Sequence, residues 1–180
     1  MVIAVLAIMF IITVQFSKNL GPESSLQATA SEIADSIDLA RTESVLRGRR
    51  VFFELDLGER KDAPQSYRAI CEPAPGHEKD ADDDEYMLSV RDWRLLPNGV
   101  RVESVVLGET DPYTNGLVQV AIQPDGSMPS HLIRLTCQQP GNEREHDWGW
   151  ACVQVAGLLG QARVLNRWVE PEFLREDTFQ

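Results

Sequence analysis

The stretch LQATASEIADSIDLARTESVLRGRRVFFELDL, residues 26–57, changes its hydrophobic period partway along, and that change decides the fold. Leu26, Ala30, Ile33, Ile37, Ala40 and Ser44 recur at steps of three and four, tracing one stripe of an α-helix. Gln27, Ser31, Asp35, Asp38 and Thr42 fall on the opposite side. From Val51 the period becomes two: Val51, Phe53, Leu55 and Leu57 alternate with Phe52, Glu54 and Asp56, the pattern of a strand with one buried face. Gly48 stands at the changeover, behind Arg47 in a last helical turn where positive charge suits the helix dipole. The helix, expected over residues 25–47, is longer than a usual globular helix, and its narrow stripe must cover an apolar face elsewhere in the chain.

That face is sought downstream. Val118, Val120 and Ile122, then Ile133, Leu135 and Cys137, alternate on either side of the turn-rich Gln123-Pro124-Asp125-Gly126-Ser127, and the two runs read as a hairpin. Trp150 to Ala156 and Ala162 to Leu165 form a second candidate pair around Gly157 and Gly160. Tyr67 to Cys71, Tyr86 to Trp93 and Val100 to Leu107 are shorter candidates, with Pro97-Asn98-Gly99 as a further turn. One helix followed by many short strands predicts an α+β fold, the helix packed on an antiparallel β-sheet or β-sandwich.

Upstream lies a different kind of sequence. Met1 to Phe16 is almost unbroken apolar residues, among them Val2, Ile3, Val5, Leu6, Ile8, Met9, Phe10, Ile11, Ile12 and Val14, with no charge before Lys18. As a helix it would span ~24 Å, against a hydrocarbon core of ~30 Å. A cleaved signal peptide would carry basic residues ahead of the run and a small-x-small site after it, and neither is present. Gly21-Pro22 marks a break. The expected organisation is a hydrophobic membrane or filament-core helix over 1–20, a head over 21–170 with β-rich sequence from 50 to 168, and a tail over 171–180.

A net charge of -11 and a pI near 4.7 argue against partners that need clustered Lys and Arg, nucleic acid above all. Between Glu72 and Glu85 seven acidic residues stand against Lys79 alone; without the glycine and ligand rhythm of a calcium loop, the segment reads as a solvated loop. His77, His131 and His146 have no metal-type spacing and read as surface histidines. Cys137 and Cys152 are the candidate disulfide, flanking Gln138 to Gly149. Cys137 shares a face with Leu135 while Cys152 alternates away from Val153 and Val155, so they meet only if register or a bulge permits. Buried free thiols are the alternative, and Cys71 is left unpaired. Trp93, Trp148, Trp150 and Trp168 are read as packing residues before a binding patch, and Arg41 with Arg47 to Arg50 as helix-end charge before a partner site. No nucleophile elbow, phosphate-cradling loop or Cys-His pair is present, which leaves no residue to carry catalysis and no cofactor to expect.

Met1-Val2-Ile3-Ala4-Val5-Leu6-Ala7-Ile8 resembles the N-terminal helix of type IV pilins and type II secretion pseudopilins. The family's Phe-Thr-Leu-x-Glu start is missing, so a basic leader ending in Gly and that motif are expected upstream of Met1. Ala40-Arg41-Thr42-Glu43-Ser44 leading through Arg47-Gly48-Arg49-Arg50-Val51 resembles the helix-to-strand junction of the minor pseudopilin H class (GspH) and of FimT and FimU minor pilins. Leu95-Leu96-Pro97-Asn98-Gly99-Val100, Asp125-Gly126 and Gly160-Gln161-Ala162-Arg163 resemble later turns and the closing strand of that class. The resemblance implies a pilin-like fold, no enzymatic activity, an inner-membrane anchor with a methylated N-terminus, and a periplasmic head. Its partners would be other pseudopilins and the inner-membrane secretion platform. A minor pilin of a type IV pilus and a single-pass membrane-anchored binding domain are the alternatives; DNA uptake, known in FimT-like proteins, conflicts with the acidic charge.

Overall fold

Gly48 turns the chain out of the helix α1 (Pro22–Arg47) and into the first strand β1 (Val51–Asp56). In the computed structural model, which describes residues 22–60, 63–73, 88–108, 111–137, 149–157 and 160–170, Gly48 has a φ of +61°. The Gly48 and Arg49 N–H groups donate to the Val45 and Ser44 carbonyls at 3.3 and 3.2 Å, satisfying acceptors that the helix end would otherwise leave open. At its other end α1 begins three residues ahead of the expected start, on Pro22, whose fixed φ suits a first helical turn that needs no N–H. The whole sequence-read stripe, Leu26, Ala30, Ile33, Ile37, Ala40 and Ser44, is buried, and Gln27, Ser31, Asp35, Asp38 and Thr42 are exposed.

Among the described residues seven further strands follow: β2 (Ser66–Cys71), β3 (Leu88–Leu95), β4 (Val100–Leu107), β5 (Leu117–Ile122), β6 (His131–Cys137), β7 (Gly149–Ala156) and β8 (Gln161–Leu165). They form two antiparallel four-stranded sheets, ordered β3-β2-β1-β5 and β4-β6-β7-β8. The inner faces supply Phe53, Leu55, Tyr67 and Val120 from one sheet and Val102, Ile133, Leu135 and Val153 from the other. The stripe of α1 packs into the same core and touches both sheets. Ile33 and Ile37 are fully buried there, each contributing about 2 kcal/mol by removal from water.

The expected hairpin of β5 and β6 does not form. β5 pairs with β1 in the first sheet, and β6 lies between β4 and β7 in the second, so the turn-rich connection carries the chain across the sandwich. Gln123 N–H bonds to the Ser127 carbonyl, closing a local turn, and Met128 N–H then bonds to the Gly157 carbonyl, drawing the chain into the second sheet. Long-range pairing therefore overrides the local turn signal. The pair around Gly157 and Gly160 does form, as β7 and β8, with Val155 opposite Ala162.

Two polar residues depart from their sequence reading. Glu54 lies on the outer face as its alternation predicts, yet is only 3% exposed. Arg68, directly opposite on β2, donates to it at 2.6 Å, Gln119 on β5 donates at 2.9 Å, and Trp93 covers the guanidinium of Arg68 at 4.5 Å. His131, expected at the surface, is fully buried at the start of β6. His77 and His146 lie outside the described residues.

Candidate functional site

The helix end and two turns meet on one residue. Arg41 Nε donates to the Gly126 carbonyl at 3.3 Å, and its side chain lies so close to Gly160 that a Cβ there would stand 2.3 Å from Nε. Ser44, one turn further on, donates its hydroxyl to the Gln123 carbonyl. The three sequence features read separately, Ala40-Arg41, Asp125-Gly126 and Gly160, are thus one joint fixing α1 to both turns. Two further arginines of the basic run are occupied locally: Arg47 pairs with Glu43 at 2.6 Å, and Arg50 with Glu72 at 3.6 Å while lying over Phe52. The run is helix-end and strand-start charge, as its position predicts.

Further up α1, Glu32 takes Arg91 and Arg94 of β3, each at 2.8 Å, and Arg91 also donates to the Ser36 hydroxyl. Two register shifts between β2 and β3 permit this, because β3 places eight residues beside the six of β2. What α1 leaves uncovered is polar along its first turns and apolar near its end, where Leu39, Val45 and Leu46 are exposed, Leu46 to 76%. At the opposite end, Glu23, Leu26 and Gln27 of α1 border an open groove of about 270 Å³ with Trp150 of β7 and Asn166.

The outer face of the second sheet carries a feature that the sequence reading missed. Beyond β8 the chain folds back, so that Val169 packs on Val106, Leu132, Cys152 and Leu165. Arg134, in the middle of β6 and buried, donates through Nε and Nη2 to the Val169 carbonyl at 3.1 and 3.0 Å. Trp168 lies over the Arg134 guanidinium at 4.3 Å and meets Trp150 edge-on with ring centres 4.6 Å apart. The one available signal was an arginine inside the otherwise apolar run Leu132–Leu135.

The cysteines are free thiols. Cys137 is opposite Gly149 and faces the core, whereas Cys152 is opposite Arg134 and faces the outer cluster, so the sheet itself lies between them. The Cys137–Cys152 bridge therefore gives way to its alternative, buried thiols. Burial pushes both thiols up from their ordinary range, as it does Cys71. Among the described residues no three His, Cys, Asp or Glu side chains gather as a metal site. Most of the acidic segment between Glu72 and Glu85, with Trp148, lies outside the described residues. So do all the residues of the apolar run Met1 to Phe16; among the described residues no helix is long and apolar enough to cross a membrane.

Among the described residues, one long helix packed into a two-sheet antiparallel sandwich defines a pilin-like head. The fold is similar to that of the minor pseudopilin EpsH from the type II secretion system of Vibrio cholerae, with a TM-score of 0.50 at 14% identity over 82% of this chain and 98% of that one. The chain belongs to the family described as type II transport protein GspH, whose model matches residues 29–151, from α1 to the start of β7. No curated protein matches the chain. Members of this family are structural subunits, not enzymes, and the polar networks described above are accordingly read as architecture.

Proposed function

We propose that this chain is a minor pseudopilin of a type II secretion system, placed near the tip of a periplasmic pseudopilus that drives protein export. The family match over residues 29–151 carries the reading. The apolar run Met1 to Phe16, ahead of α1, supplies the second half of the argument. It anchors the subunit in the inner membrane as a single-pass segment and then packs beside the same segment of neighbouring subunits, exchanging lipid contacts for helix contacts. The head stays in the periplasm, and its partners are other pseudopilins and the inner-membrane platform.

The test is genetic and biochemical. Deleting the gene in its own host should leave exported proteins in the periplasm, and the full-length chain should restore their release. A chain lacking residues 1–16 should fold as a soluble monomer and fail to restore it. Normal export in the deletion strain, or rescue by the shortened chain, would overturn the assignment.

A further inference from the structure

The C-terminal segment of the described chain is attached unlike any strand. Asn166 to Glu170 has no ladder of its own; beyond the packing of Val169 on Val106, Leu132, Cys152 and Leu165, its end is held by two side chains that stand on strands, Arg134 and Trp150. Arg134 sits in β6, paired on both sides by β4 and β7. Its guanidinium holds the Val169 carbonyl with two N–H groups, lies against the Trp168 ring, and has Glu170 at 3.5 Å. Trp168 in turn donates its indole N–H to Glu170 at 2.8 Å, so the ring and the carboxylate move together.

Contacts that share one partner are lost together. Opening the segment costs the two charge-assisted bonds to the Val169 carbonyl, the contacts of the Trp168 ring with Arg134 and Trp150, the exposed Glu170 pair and the burial of Val169, less than breaking a strand with a full ladder, so it can occur while the sandwich stays folded. Beneath it lie Val106, Leu132, Cys152 and Leu165. We propose that residues 166–170 form a latch, keyed on Arg134, whose opening uncovers this apolar strip on the outer face of the second sheet without unfolding the core.

The three thiols make the test internally controlled. Cys152 lies beneath the latch, whereas Cys137 and Cys71 face the shared core of the two sheets. The full-length chain in detergent micelles is treated with a maleimide, and labelling of each cysteine is followed by peptide mass spectrometry. Cys152 should react at least tenfold faster than Cys71 and Cys137. Trp168→Ala, a change at a partly exposed ring, should accelerate Cys152 a further several-fold with the other two unaltered, and Arg134→Lys should do the same through loss of the fork. Three thiols reacting at one common rate, or a Cys152 rate indifferent to both substitutions, would overturn the latch.

Discussion

The side chain of Gln65 clamps the backbone of Val102 from both sides, accepting from its N–H at 2.7 Å and donating to its carbonyl at 3.1 Å. Val102 belongs to β4 in the second sheet, while Gln65 leads into β2 of the first and also donates to the Leu57 carbonyl at 3.1 Å. One buried amide therefore ties together two sheets that share no strand ladder. Gln65→Leu keeps the shape and leaves a buried N–H and two carbonyls without those partners, which should destabilise the head by about 2–4 kcal/mol. Urea unfolding measures it; a change under about 0.5 kcal/mol would show that water replaces the amide at no cost.

His131 sets an acid limit. Its Nδ1 lies 2.8 Å from the Pro129 carbonyl and so carries the proton, while the buried Nε2 has no partner among the described residues. Burial depresses its pKa to about 4, outweighing that hydrogen bond. The folded pKa lies below the unfolded value of ~6.5, so the contribution is fully present above pH ~6.5 and is lost as pH falls from there towards 4. The loss should approach about 3 kcal/mol. His131→Phe should flatten this part of the stability profile relative to the unsubstituted chain, and identical slopes in the two would place the acid sensitivity elsewhere.

Gly160 and Gly48 separate two costs of adding a methyl group. Both have positive φ, +58° and +61°, but only Gly160 is crowded, with Arg41 atoms at 2.3 to 3.0 Å from the added Cβ; at Gly48 the space is open. Gly48→Ala should cost about 1 kcal/mol from backbone strain alone. Gly160→Ala should cost more, about 2–3 kcal/mol, because Arg41 must also leave its place beside the Gly126 turn. Equal melting temperatures for the two variants would mean that Arg41 shifts freely and fixes nothing.

Periodicity reveals which residues face a core, and it did so for α1 and for Val51, Phe53, Leu55 and Leu57. It carries no information on which strand lies alongside. The turn between Ile122 and His131 is chemically suited to a hairpin, yet β6 is buried along its whole length, and such a strand is stable only between two others. The same limit hid the buried polar residues. Glu54 and Arg134 are of types usually found at the surface, and what makes them interior is a partner fixed by register or fold: Arg68 opposite Glu54, and the returning Val169 above Arg134.

The Glu54–Arg68 pair tests whether the outer face of the first sheet is held by charge or by packing. Both side chains are largely shielded, at 4% and 15% exposure, and four strands contribute to one row, Trp93, Arg68, Glu54 and Gln119. Removing the carboxylate takes away the 2.6 Å acceptor of a largely shielded guanidinium, so Glu54→Leu should cost about 3 kcal/mol. Replacing both, as Glu54→Leu with Arg68→Leu, removes the guanidinium together with its acceptor and leaves two strand-compatible apolar side chains opposite one another. The double variant should therefore recover at least half of the single variant's loss. If the losses simply add, the two charges act independently, and the short contact between them contributes nothing to the sheet.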